Sequence, residues 1–297
     1  MALPRFAGAA LATALLLAGC GTTRGPADGS GAPTVVASFY PLAEAAGRVA
    51  GDRAEVVDLT PSGAEPHDLE LTTDDIDRLR GASLALYLGG GFQPAVEAAV
   101  ARRSGRSVDL LEADLPLLEE GGDVDPHIWL DPGIMTTVTL RIRDVLTELD
   151  PGGRSAYEAN ATRYAGELAA LDEDFATGLA RCDRRTILTA HDAFGYLARA
   201  YDLGEESVAG LSPESEPDPR RLAELARRVA DEGITTVFSE TLVSPRVAEA
   251  LAREAGVQVA VLDPLEGLTD EQRQAGAGYV SVMEGNLATL RAALGCR

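Results

Sequence analysis

"SAYEANATRYAGELAALDEDFATGLAR" (155–181) contains no Pro, and its one Gly before the last turn is Gly166. Tyr157, Tyr164, Leu168, Leu171, Phe175 and Leu179 recur at steps of 7, 4, 3, 4 and 4, which puts all six on one face of an α-helix. The spacing predicts a single helix of about 27 residues, roughly 40 Å long at 1.5 Å per residue. A helix of that length is a rod. Two bodies joined by it are expected to move little against each other.

The pattern on both sides of this rod is the same. Upstream, "TVVASFY" (34–40), "AEVVDLT" (54–60), "SLALYLG" (83–89) and "SVDLL" (107–111) read as buried parallel strands separated by helices. One of those helices, in "TTDDIDRLRGA", has Thr72 three residues ahead of Asp75, the spacing of a capping box. Downstream, "TILTA" (186–190), "ESVAG" (206–210), "TTVFSE" (235–240) and "VQVAVLD" (257–263) repeat the alternation, and "SPRVAEALAREAG" offers Ser244 as an N-cap before Pro245. The expected class is α/β: two small domains, each a parallel sheet flanked by helices, at 34–153 and 182–297, joined by one long rigid helix over 154–181.

The N-terminus reads as an export signal over residues 1–19. Arg5 precedes an apolar run from Phe6 to Leu17, too short to span a bilayer comfortably, and small residues follow up to Cys20. "LAGC" (17–20) resembles a bacterial lipobox, which would make Cys20 a lipidated first residue; a plain secretory signal with a stray Cys is the alternative. Residues 20–33, rich in Gly, Ser, Pro and Ala, read as a flexible tether. The chain has 47 acidic and 26 basic residues, every basic one an Arg, for a net charge of −21. That field disfavours nucleic acid and anionic lipid as partners. With Cys20 set aside, Cys182 and Cys296 remain. In an exported protein an even pair suggests a disulfide, with two separate buried thiols as the alternative.

The three histidines all fall in loops near strand ends: His67 seven residues beyond "AEVVDLT", His127 in "DVDPHIWLDP" (123–132), and His191 directly after "TILTA". Glu240 and Asp263 end two further strands. Open α/β sheets bind ligands at the carboxyl ends of their strands, and imidazoles with a carboxylate suit a divalent transition metal. No G-x-S-x-G elbow, HExxH, Walker A or GxGxxG pattern is present.

From about residue 34 onward the chain resembles the metal-binding solute-binding lipoproteins of ABC transporters, the zinc/manganese (ZnuA-like) cluster. The stretches that carry the resemblance are "SFYPLAEAAGRVAGD", "PSGAEPHDLELTTDDI", "DPHIWLDP", "TAHDAFGYLARAYDL", "GLSPESEPDP" and "VFSETLVSPRVAEALAREAG". The resemblance implies four ligands from four loops in an interdomain cleft, at His67, His127, His191 and Asp263. It also implies a monomer, lipid-anchored at Cys20 on the outer face of the cell membrane or periplasmic, that passes metal to an ABC permease and performs no bond chemistry. Disulfide-bearing members support a Cys182–Cys296 bridge. Manganese-type members tend to carry Glu at the place of His191, so three imidazoles with one carboxylate imply Zn²⁺. A manganese or iron carrier of the same family and a metal-containing surface adhesin are the rival readings. Glu240 is expected to hydrogen-bond a ligand imidazole, Glu65 to do the same or to be an extra ligand, and Trp129 to wall the site or fill the core. Many zinc-type members carry a His-rich acidic loop; here "EADLPLLEEGGDVD" (112–125) keeps the acids and has no His, so a metal-collecting loop is not expected.

Overall fold

The computed structural model describes residues 1–2, 32–213 and 219–297. The leader from residue 3 onward, Cys20, the tether as far as residue 31, and residues 214–218 of "GLSPESEPDP" lie outside the described residues. In the first half, β1 (Thr34–Ala37), α1 (Tyr40–Ala50), β2 (Glu55–Asp58), α2 (Thr73–Gly81), β3 (Leu84–Tyr87), α3 (Pro94–Val100) and β4 (Arg106–Asp109) build a parallel sheet in the order β2-β1-β3-β4. Short strands with both faces covered explain the continuous apolar runs. Val35 and Ala37 pack towards α1 on one side, while Val36 packs with Leu79, Val96 and Val100 on the other. Thr72 caps α2 through the expected reciprocal box with Asp75.

A two-stranded hairpin, β5 (Glu119–Glu120) with β6 (Asp123–Val124), interrupts the path to α4 (Pro132–Leu149) and α5 (Arg154–Leu179). Pro132 opens α4, and Asp131 caps it by accepting from Gly133 N and Ile134 N at 2.8 and 3.2 Å. Helix α5 is the predicted rod, and all six residues of its stripe are buried.

The second half repeats the first. β7 (Thr186–Thr189), α6 (Gly195–Ala200), β8 (Gly204–Ser207), α7 (Pro219–Glu232), β9 (Thr236–Ser239), α8 (Arg246–Ala255) and β10 (Gln258–Val261) form a parallel sheet in the order β8-β7-β9-β10, the same order as the first. α9 (Asp270–Gln274) and α10 (Tyr279–Leu294) complete the chain. Two local expectations shift. Strand β8 starts two residues before "ESVAG", because its polar first half is held inward: Glu205 accepts from the Thr189 hydroxyl at 2.8 Å. Helix α8 starts at Arg246 with Pro245 in the cap position, so Ser244 does not cap it.

Cys182 and Cys296 are joined by a disulfide, 114 residues apart in sequence. One hydrophobic cluster includes β1 and β3 residues, the α4 and α5 stripes, Ile187 of β7, and Tyr279 to Leu294 of α10. The two sheets therefore belong to a single compact unit, Ala32–Arg297. No helix among the described residues is long and apolar enough to cross a membrane.

Candidate metal centre

In a 2-1-3-4 sheet the chain leaves the first strand to one side for the second and to the other side for the third, which opens a crevice at the carboxyl ends. Both sheets turn these ends towards one site. The β2–α2 loop delivers His67, the β6–α4 loop delivers His127, the residue pair after β7 delivers His191, and the loop after β10 delivers Glu266. Ligating atoms from the four side chains lie within 4.8 Å of one another. Glu266 Oε1 is 3.2 Å from His67 Nε2, 3.5 Å from His127 Nε2 and 3.4 Å from His191 Nε2; the last two nitrogens are 3.3 Å apart. Four donors set tetrahedrally about 2.0–2.1 Å from a central ion are separated by about 3.3–3.4 Å. These four separations match that spacing, so the cluster could hold a metal ion.

Each imidazole is oriented from behind. His127 Nδ1 lies 2.7 Å from Asp125 Oδ1, and His191 Nδ1 lies 2.7 Å from Glu240 Oε1. A carboxylate only accepts, so Nδ1 carries a proton in each ring and Nε2 is left as the nitrogen that faces the centre and can give its lone pair to a metal. The same oxygens accept the backbone N–H of His127 and of His191, at 2.9 and 3.1 Å. Glu65 accepts from the backbone of His67 and Asp68 at 3.1 and 3.2 Å, and so fixes the loop rather than the ring.

Burial alone would lower the pKa of His127 and His191. The Asp125 and Glu266 carboxylates hold His127 above its ordinary value, and Glu240 with Glu266 hold His191 well above it. For His67 burial wins over Glu266 and the pKa falls. Burial would raise Glu266, but the three imidazoles draw its carboxyl well below the usual range. Its second oxygen, Oε2, is buried with no hydrogen-bond partner among the described residues. A cation beside this carboxylate would offset that cost.

The aromatic wall is continuous. Phe92 meets His67 edge-on at 4.7 Å between ring centres, and Trp129 lies 5.0 Å from His127 and 4.7 Å from Phe39. Trp129 is fully buried and donates its indole N–H to Pro264 O at 2.7 Å. It is therefore both a wall of the site and a core residue.

The carboxylate among the imidazoles is Glu266, where Asp263 was expected. Asp263 is committed to its own loop: Oδ1 accepts from Leu265 N at 2.8 Å and Oδ2 from Gln272 Nε2 at 2.8 Å. Asn286 pairs with both its backbone groups, at 2.9 and 2.7 Å. Asp followed by Pro is a turn signal, since a short carboxylate caps the N–H two residues on. That turn, with Leu265 at φ +55°, carries the chain round so that the longer Glu266 reaches the centre. Asp125 also escaped notice, although it stands two residues before His127 in "DVDPH".

Fold and site together define a two-lobed α/β binding protein with a three-histidine, one-carboxylate centre between its lobes. The family model of the periplasmic zinc-uptake complex component A (ZnuA) matches residues 35–293. The chain belongs to this family. It is 33% identical over 300 residues to the high-affinity zinc uptake system protein ZnuA of Bacillus subtilis, with 94% of each chain covered. It is 35% identical to the zinc-binding protein AdcA of Streptococcus pyogenes serotype M1, over 86% of this chain and 55% of that protein, so it spans little more than half of AdcA. The crystal structure of the Zn(II)-bound ZnuA-like domain of Streptococcus pneumoniae AdcA is similar with a TM-score of 0.78 and 36% identity, over 89% of this chain and 99% of that one.

Proposed function

We propose that the chain is the extracytoplasmic capture component of a zinc-uptake system, binding Zn²⁺ through His67, His127, His191 and Glu266 and passing it to an ABC permease. The observation that carries this is that Glu266 Oε1 lies 3.2–3.5 Å from all three Nε2 atoms and that the Nε2 atoms of His127 and His191 are 3.3 Å apart. Three imidazoles favour Zn²⁺ over Mn²⁺, which prefers oxygen donors. Four protein ligands fill a tetrahedral shell, which suits cargo held for release, whereas a catalytic zinc keeps a position open. The zinc-binding relatives support the same choice of metal. In this reading residues 1–19 are the leader, Cys20 carries the lipid anchor, residues 20–33 are the tether, and lobes 34–153 and 182–297 meet across the helix over 154–181 as a monomer.

The test is metal removal followed by competitive titration with zinc and manganese. One zinc per chain, bound far more tightly than manganese, is expected. His191→Ala should abolish tight binding, and Glu240→Ala should weaken it about 10- to 100-fold, as loss of an orienting partner does. A preference for manganese, or no saturable binding, would overturn the proposal.

A further inference from the structure

The acidic segment 112–125 is bound down onto the opposite lobe. Arg199 of α6 donates to Pro116 O at 2.7 Å and lies over the Tyr196 ring at 5.1 Å. Tyr196 is fully buried against the foot of the β5–β6 hairpin. In that hairpin Glu119 pairs with Val124 and Glu120 with Asp123, which makes Leu118 and Asp125 the next antiparallel pair. A hydrogen-bonded pair of this kind exchanges two N–H···O bonds. Only one is made directly, from Asp125 N to Leu118 O at 2.9 Å. The Tyr196 hydroxyl occupies the place of the other: it accepts from Leu118 N at 3.0 Å and donates to Asp125 O at 2.8 Å. The lobes come this close because residue 195 is Gly. A Cβ there would stand 3.1 Å from Asp125 Oδ2 and 3.4 Å from Leu118 Cδ1.

Asp125 is also the residue that holds His127, by both its backbone N–H and its ring Nδ1. We infer that Tyr196, from the second lobe, is a positioning residue for His127 of the first: its hydroxyl wedges the hairpin foot open and sets the Asp125 backbone so that the imidazole points at the metal. This deepens the metal-capture reading and rests on it. A hairpin free to close its own ladder would draw Asp125 O towards Leu118 N and turn the carboxylate away from the ring.

Tyr196→Phe removes the hydroxyl and keeps the ring, its packing and the Arg199 stack. It is expected to raise the zinc dissociation constant about tenfold, the low end for an outer partner of a ligand. The same substitution in a His127→Ala background should change zinc affinity little, because its effect runs through that imidazole. Metal-free protein gives an independent arm. In NMR spectra Tyr196→Phe should shift the ring signals of His127 and leave those of His67 and His191 in place. Arg199→Ala, which frees the strap at Pro116 without touching Leu118 or Asp125, should leave the His127 signals where they are. An unmoved His127 ring in Tyr196→Phe, an equal affinity loss with and without His127, or an equal shift from Arg199→Ala would each overturn the inference. If the parent protein bound no zinc while the His127 shift appeared, the capture reading would fail and the positioning role would stand.

Discussion

Glu266 and Asp263 are three residues apart, both buried, and differ in what they face. Glu266 looks at three imidazole nitrogens; Asp263 looks at a backbone N–H and a glutamine amide. Glu266→Ala should therefore remove a donor and lower zinc affinity at least about a hundredfold, whereas Asp263→Asn, which still accepts from Leu265 N, should cost about tenfold or less. Isothermal titration of both variants decides it, and a larger loss in Asp263→Asn would return the fourth ligand to Asp263. A second residue-scale effect concerns stability. Burial pushes the Asp58 carboxyl up to about 6, against the opposing pull of its bond from Thr60 N at 3.1 Å. Its unfolded value is near 3.9. Because the folded state holds the proton more tightly, stability falls as pH rises between these values and the cost is complete above about 6. Asp58→Asn keeps the acceptor and removes the charge. It should gain about 1 kcal/mol at pH 7, the full shift discounted because the group is only part-buried, and far less at pH 4. Thermal melts of the metal-free protein at the two pH values measure this, and equal differences at both would refute it.

At the scale of elements, α5 shows what a sequence pattern carries. Its six-residue stripe was fully legible because a helix in contact with core along its whole length must repeat its apolar residues at 3.6. Leu168 sits mid-stripe with no exposure, so Leu168→Ala should destabilise the protein by about 2–5 kcal/mol. Urea unfolding gives the value, and a loss under about 1 kcal/mol would show that the stripe is not packed as described. The central strands β1, β3, β7 and β9 were legible for a similar reason, since strands covered on both faces are largely apolar, while the edge strand β10 was legible from its β-branched residues although Val259 and Val261 are exposed. β8 was displaced because Glu205 and Glu206 make its first half polar, and a pattern of hydrophobicity cannot see a carboxylate satisfied by Thr189 across the sheet. The three histidines were legible from strand-end position and residue chemistry. Glu266 was not, because the choice between it and Asp263 depends on how Asp263 spends its oxygens in the turn between them. Tyr196 was hidden for a related reason, since its role exists only where α6 meets a hairpin distant in sequence, and Asp125, two residues before His127, was one acid among several in its segment.

At the scale of the whole molecule, the two sheets share a core and several direct bonds. Trp129 of the first half donates to Pro264 of the second, Tyr279 donates to Trp129 O at 2.6 Å, and Gly63 N donates to Leu268 O at 3.0 Å. α5 packs on α1 and α4 from one half and on α10 from the other, and the Cys182–Cys296 bridge pins the end of α10 near the end of α5. Wide opening of the lobes would expose this shared apolar core, at about 25 cal/mol for each Å² uncovered. Metal exchange should then proceed through local rearrangement of the loops that carry His67 and Glu266, with the lobes held. Of the four proposed ligands, His67 is the one whose loop needs least: its side chain is 8% exposed, against 0% for His127 and His191 and 1% for Glu266. A cavity of about 250 Å³ bordered by Phe92, Asp123 and Ser212 reaches it from outside. Small-angle scattering of metal-free and zinc-loaded protein should give radii of gyration within about 1 Å of each other, in contrast to the domain closure of hinged binding proteins. Hydrogen exchange should show protection gained on zinc binding in the loops around His67 and Glu266 more than in α5. A large contraction on zinc binding, with exchange changes centred on α5, would mean that the rod bends and that the shared core opens whenever metal is exchanged.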